Sequence, residues 1–270
     1  MNYPTLAHLI DSAAELRPLS GTAGTILALS EGDRFSAQQL AEAVVSDPVL
    51  ATRMLRIANS AFYGAPKRIG SVREAIVLIG FPTVHATVLA MCLIESFPRT
   101  PEIDADRFWR HSVSVATLAE ELVKLVQTNR EHGEHAFTGG IVHNIGRLAF
   151  AQFEPQAFRQ AVALARTSEV TVHQAQRELF GYTDTDLGAG LTTWWGFPDP
   201  LIEAIADSEP DTAGGQGPVA RAVLQARTIL SMLGVTDGVD VPGGLVEATP
   251  PPHWTEVNLR VDAFMEHVPV

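Results

Sequence analysis

In the run Gly140-Ile141-Val142-His143-Asn144-Ile145-Gly146-Arg147, a histidine is followed directly by an asparagine. An adjacent His-Asp pair on a helix holds a divalent cation well, because imidazole nitrogen and carboxylate oxygen are complementary ligands. Asn144 keeps the size of aspartate and loses its negative charge. The chemistry in question is therefore metal-dependent hydrolysis, and the other residues must show whether that charge is replaced. The remaining candidates are weaker. Cys92 is the single cysteine and lies in the apolar run 88–94, where it reads as a small core hydrophobe. His132 and His135 fall in a polar stretch and read as solvated. Trp194, Trp195 and Phe197 stand just before Pro198, and core packing explains them better than ligand stacking.

The elements that must position these residues are helices almost throughout. Asp47-Pro48 is an N-cap followed by proline at the first helical position, opening a helix over 47–59 after one over 36–45. Leu50, Met54, Ile57 and Ala58 then share one face. Ser71 caps the next helix, which runs to Ile79, and Gly80-Phe81-Pro82 breaks the chain before an apolar helix ending near Phe97. The polar segment 98–104 separates this half from a long helix over 106–127. A polar loop over 128–134 then leads into one helix over 136–153 carrying His143. Further helices are predicted at 155–166, 171–180, 183–195, 200–206 and 218–233. Residues 234–252, rich in Gly, Pro and Asp, read as a linker or surface loop before a short helix over 258–267. Alternating strand patterns are nearly absent, so the predicted fold class is all-α.

Apolar residues at 46% against 19% charged make a globular chain, and 270 residues suffice for a buried core. A net charge of −12 argues against general nucleic-acid binding, since phosphates are repelled. One thiol excludes an internal disulfide and fits a reducing compartment. The first fifteen residues lack the pattern of a signal peptide, and the apolar runs are too short to span a bilayer. A cytoplasmic protein is expected.

Several motifs follow one another in order along the chain. They are Leu16-Arg17-Pro18-Leu19-Ser20-Gly21-Thr22-Ala23, the stretch 45–64 centred on Asp47-Pro48 and Asn59-Ser60-Ala61-Phe62-Tyr63-Gly64, and Ser71-Val72-Arg73-Glu74-Ala75 running on to Gly80. Phe108-Trp109-Arg110-His111-Ser112, the His143 segment and Trp195-Gly196-Phe197-Pro198 complete the series. In this series the chain resembles the HDOD family, the HD-related output domains of bacterial signalling proteins, from about residue 16 to 210. The resemblance implies kinship with the HD phosphohydrolases, all-helical enzymes whose His and Asp ligands hold one or two metals. It also implies two helical lobes: an N-terminal lobe at 1–100 and an HD-like lobe at 104–233, followed by a linker and short helix at 234–270.

By that resemblance His111 is the first metal-site histidine, 143 − 111 = 32 residues before His143. The other positions depart from the pattern. Asn144 stands for the aspartate, Thr185 for a histidine within Asp184-Thr185-Asp186, and Ser208-Glu209 for a histidine pair. The closing aspartate would fall near 224–227, where Arg227 brings a positive charge instead. Two imidazoles and an amide are a poor cage for Mn²⁺, Mg²⁺ or Fe²⁺, which favour anionic oxygens. Asp184, Asp186 and Glu209 are the acids that would substitute if helix phase turned them inward. The count of unfilled roles favours a buried polar cluster, in which Asn144 finds hydrogen-bond partners in the two histidines, over a metal centre. No cofactor is expected.

Positions 48–73 hold no acid and five cations: Arg53, Arg56, Lys67, Arg68 and Arg73. They form a candidate surface for an acidic protein partner or an anionic small ligand, against a plainer reading as a solvated face paired with acids of neighbouring helices. The expected function, implied by the resemblance, is a non-catalytic output or scaffold module of signal transduction that binds a regulatory partner, its input arriving through binding. The rivals are a metal-dependent phosphohydrolase acting on nucleotides or phosphodiesters, and a sensor of an anionic nucleotide without turnover.

Overall fold

Short polar side chains fix where the helices begin. Asp47 Oδ1 accepts from the amides of Val49 and Leu50, Ser71 Oγ from Glu74, and Thr171 and Thr183 each close a reciprocal capping box. The computed structural model describes residues 3–16, 24–26, 36–97, 99–126, 130–208, 217–239 and 250–266. Most of the motif at 16–23, Glu209 and residues 240–249 lie outside them. Among the described residues the chain is helical with no strand, an all-α fold.

The first helices are α1 (Leu6–Leu16), α2 (Ala37–Val45), α3 (Pro48–Ala58), α4 (Val72–Ile79) and α5 (Phe81–Ser96). Then come α6 (Ala105–Val126), α7 (Arg130–Val142), α8 (Ile145–Phe153), α9 (Pro155–Ser168) and α10 (Val172–Phe180). The last are α11 (Asp184–Trp194), α12 (Asp199–Ala206), α13 (Pro218–Met232) and α14 (Trp254–Met265). Helix α4 packs on α2 and α3, and the predicted apolar face of α3, Leu50, Met54, Ile57 and Ala58, is buried. Helix α6 is the spine of the second half, touching α7, α13 and α14, while α5 reaches across to α7. One apolar cluster therefore runs from Leu9 to Phe264, and a smaller one fills the space around Val115, Val219, Val223 and Leu230. Cys92 lies buried in the larger cluster, as the apolar run around it implies. Arg260 ties α14 down, donating to Glu120 at 2.5 Å and lying 4.5 Å over the Phe137 ring. Among the described residues no single helix is long and apolar enough to cross a membrane.

Five expectations change. The single helix over 136–153 is two, α7 and α8, broken at His143-Asn144. The polar stretch before it is already helical from Arg130, so His132 and His135 are half-buried on α7 and not in a solvated loop. Residues 235–239 turn inward, with Asp237 only 1% exposed, where a linker was expected. Helix α1, unanticipated, packs on α11, pressing Ile10 against Gly190. Trp195 packs edge-on against Phe97, but Trp194 is 55% exposed and outside the core.

Candidate functional site

Two close helix approaches assemble the site. A Cβ on Gly140 would lie 2.3 Å from the Ala116 Cα, so α6 and α7 meet backbone to backbone. That contact brings His111 of α6 beside His143, with ring centroids 5.5 Å apart. A Cβ on Gly146 would lie 1.9 Å from the Asp184 carbonyl oxygen, so α8 and α11 are equally close. That second contact sets Arg147 next to Asp184.

The two histidines are oriented by main-chain carbonyls. His111 Nδ1 lies 3.1 Å from Val235 O, and His143 Nδ1 lies 2.7 Å from Gly140 O. A ring nitrogen facing a carbonyl carries the proton, which leaves Nε2 as the lone-pair atom. His143 Nε2 is buried with no hydrogen-bond partner. Burial, the Arg227 charge and His111 together hold the His143 ring well below its ordinary proton affinity, so it stays neutral.

Asn144 occupies the cap of α8 at φ −103°, ψ 14°, yet its side chain does not cap that helix. Its amide donates to Asp237 Oδ2 at 3.4 Å instead, so the acceptor is a carboxylate and not the two histidines. Arg147, 1% exposed, is the centre of the arrangement. Its Nε donates to Asp184 Oδ2 at 2.8 Å, its Nη1 to Asp237 Oδ2 at 2.5 Å, and its Nη2 lies 3.2 Å from His173 Nε2. Asp184 receives further bonds from Gln176 Nε2 at 3.1 Å, and His173 Nε2 lies 3.0 Å from its other oxygen. Burial alone would raise the Asp184 carboxyl, but Arg147 and His173 hold it far below the usual carboxylate range. Thr185 is buried with its hydroxyl 3.3 Å from His173 Nε2, and the Ser208 carbonyl accepts from Arg227. Asp186 faces away, closing the cap of α11 with Thr183.

The structure thus brings together His111, His143, Asn144 and the neighbourhood of Arg227, and it turns Asp184 inward. The residues the sequence did not single out are Arg147, His173, Gln176 and Asp237. A signal for Arg147 existed: it is one arginine in the otherwise apolar stretch 145–151, every residue of which is buried. A cation there requires buried anions.

A divalent cation does not fit this donor set. Both inward carboxylates are bonded to a guanidinium, Asn144 offers only a neutral oxygen, and Arg227 adds positive charge beside His143. Among the described residues no group of three or more His, Cys, Asp or Glu is placed to hold a metal ion.

Of the cationic surface, Arg53 pairs with Glu95 and Lys67 with Glu74 at 3.0 Å, whereas Arg56, Arg68 and Arg73 are exposed. A cleft of about 600 Å³ opens elsewhere, between Phe62, Tyr63, Lys124, Glu256 and Arg260, and shares no lining residue with the histidine site.

These features define a protein of the all-helical, HD-like class in which a guanidinium holds the carboxylates. More narrowly, the chain belongs to the HDOD domain family, whose model matches residues 16–210. A solved candidate phosphohydrolase from Shewanella amazonensis SB2B is 25% identical with a TM-score of 0.75, covering 97% of this chain and 98% of its own. A candidate signal transduction protein from Marinobacter aquaeolei VT8 is 25% identical at a TM-score of 0.74, with 98% of this chain and 61% of that one aligned. An HDOD domain protein of unknown function from Geobacter sulfurreducens shares the fold at 19% identity and a TM-score of 0.68, over 97% and 85% of the two chains. An uncharacterized protein of Treponema pallidum (strain Nichols) is 20% identical over 162 residues, 60% of this chain, which spans only 31% of that relative.

The buried histidines make stability depend on pH. His85 on α5 is pushed down to about 4, chiefly by burial, with a bond to the Ile26 backbone opposing and His135 adding to the shift. His143 is shifted the same way. Both are neutral when folded and take up a proton near 6.5 when unfolded, so the unfolded state binds more protons below that value. Stability is fully present above about pH 6.5 and falls on acidification, for His85 by roughly 1 kcal/mol per pH unit down to about pH 4, with His143 acting in the same direction. Asp184 adds a loss only below its ordinary value of 3.8. Urea denaturation at about pH 7 and about pH 5 checks this: the midpoint must fall on acidification, and equal midpoints would contradict it.

Proposed function

We propose that this chain is a non-catalytic HDOD output or scaffold module of signal transduction, acting in the cytoplasm by binding a regulatory partner. The observation that carries the reading is the commitment of Asp184 and Asp237 to Arg147, which leaves the histidine pair without the anionic oxygens that hydrolysis through a metal demands. The Marinobacter relative, a candidate signal transduction protein, supports the signalling context. The exposed Arg56, Arg68 and Arg73 supply a surface for an acidic partner.

The rival, a metal-dependent phosphohydrolase, is favoured by one observation. His111 and His143 keep the carbonyl-oriented tautomer of metal-ligating histidines, and His143 Nε2 is unpartnered. Elemental mass spectrometry of tag-free protein purified without chelator separates the two. The expected result is no Mn, Fe or Zn near one equivalent, before or after incubation with those ions. Near-stoichiometric metal, with phosphodiester turnover abolished by His143→Ala, would overturn the proposal.

A further inference from the structure

The segment after α5 and the start of α9 enclose a hollow of about 300 Å³, lined among others by Arg99, Thr100, Glu102, Gln152, Pro155 and Arg159. Two guanidiniums and one carboxylate leave this hollow a net charge of 2 − 1 = +1 on a chain whose total is −12. The acid is not a free competitor. Glu102 has a side chain only 5% exposed and accepts from Arg159 Nη1, while the Arg159 side chain remains 58% exposed. A guanidinium has five N–H donors, so this pairing orients Arg159 and leaves donors for a second acceptor.

Two further features point to an absent partner. Thr100 Oγ1 and Gln152 Oε1 are both shielded from solvent and make no hydrogen bond, although both residues line the hollow. Buried polar atoms seldom go unsatisfied, and a hydroxyl and a primary amide both offer donors to an oxyanion, the amide after a half-turn about its last bond. Helix α9 also starts here with Pro155 at its first turn and no capping side chain. Pro155 has no N–H and Phe158 donates to Glu154 O, so the amides of Gln156 and Ala157 and the positive end of the dipole are what this terminus offers an anion.

We infer that this hollow binds a phosphate group, held by Arg99 and Arg159 in charge-assisted bonds and by Thr100 and Gln152 in neutral ones. Phosphate suits the bidentate donors, and the rest of a phosphomonoester extends into solvent from so open a site. The source is either free phosphate or a phosphorylated side chain of a partner. The inference uses none of the residues behind the non-catalytic reading and stands or falls separately from it.

Titration calorimetry on the full chain tests it, with inorganic phosphate in one arm and a phosphoserine hexapeptide, beside its unphosphorylated form, in the other. Saturable binding is expected, weakened about tenfold or more by Arg99→Ala or Arg159→Ala and by a smaller factor in Thr100→Val. Arg221→Ala, an exposed arginine outside both the hollow and the 48–73 surface, must leave it unchanged. A phosphopeptide about tenfold tighter than inorganic phosphate identifies a phosphorylated partner as the source, and equal affinities identify free phosphate. No saturable heat for either probe up to about 10 mM, or affinity that survives loss of both arginines, would overturn the assignment.

Discussion

Exchanging Arg147 for methionine is expected to cost about 3–5 kcal/mol of stability, because it strands two buried carboxylates without a counter-charge. Asp184 and Asp237 are each at most 3% exposed, and both bond directly to this guanidinium. The loss comes from that asymmetry and not from the strength of the ion pairs as such, since a buried pair barely exceeds its own desolvation. The triple variant Arg147→Met, Asp184→Asn, Asp237→Asn must therefore recover much of the loss, because no charge is left unpaired. Urea denaturation of parent, single and triple variants measures both effects, and a single variant within about 1 kcal/mol of the parent would refute the account.

Helix starts were legible because capping is local. Asp47-Pro48 and Ser71 sit where the sequence places them, and the apolar face of α3 is the buried one. The break at His143-Asn144 was not legible, since apolar residues continue on both sides of it and no proline marks it. What breaks the helix there is tertiary: Asn144 adopts a non-helical ψ and gives its amide to Asp237, 93 positions away. Asp237 itself reads as a solvated acid in a Gly- and Pro-rich stretch, and its bonds to Arg147 and Asn144, 90 and 93 positions away, hold it inside. The start of α7 was missed for the opposite reason. Residues 130–135 are polar and show no apolar period, although the backbone is already helical from Arg130.

The candidate site divides along the same line. His143, Asn144 and His111 were visible because their types and order form a pattern, and Asp184 was visible as an acid whose helix phase had to be decided. The cation that decides the chemistry was written in the same eight-residue motif as His143, at Arg147, but its role depends on which carboxylates fold against it. A motif read as metal ligands draws attention to the anions. Here the informative residue is the buried cation that consumes them.

Gly146→Ala carries the second large expected effect. The added Cβ would lie 1.9 Å from Asp184 O, 2.4 Å from Gly188 N and 2.7 Å from Gly188 Cα, all backbone atoms with no rotamer to yield. Helices α8 and α11 would have to part by about 1 Å or more, since carbon atoms need roughly 3.5 Å. Those helices carry Arg147 and Asp184, so the separation also stretches their 2.8 Å bond. The gain in helix propensity, about 1 kcal/mol, is too small to offset this, and a net loss above about 3 kcal/mol is expected. Gly188→Ala should be milder, because its Cβ meets the nearest backbone atom, Gly146 N, at 3.0 Å. Gly70→Ala, whose nearest neighbour is a Glu74 oxygen at 3.8 Å, should be close to neutral. Thermal melts of the three variants must rank in that order. If Gly146→Ala proves too unstable to purify, the remaining contrast between Gly188 and Gly70 still tests the claim, because equal melting temperatures for those two would mean the α8–α11 approach is looser than these distances require.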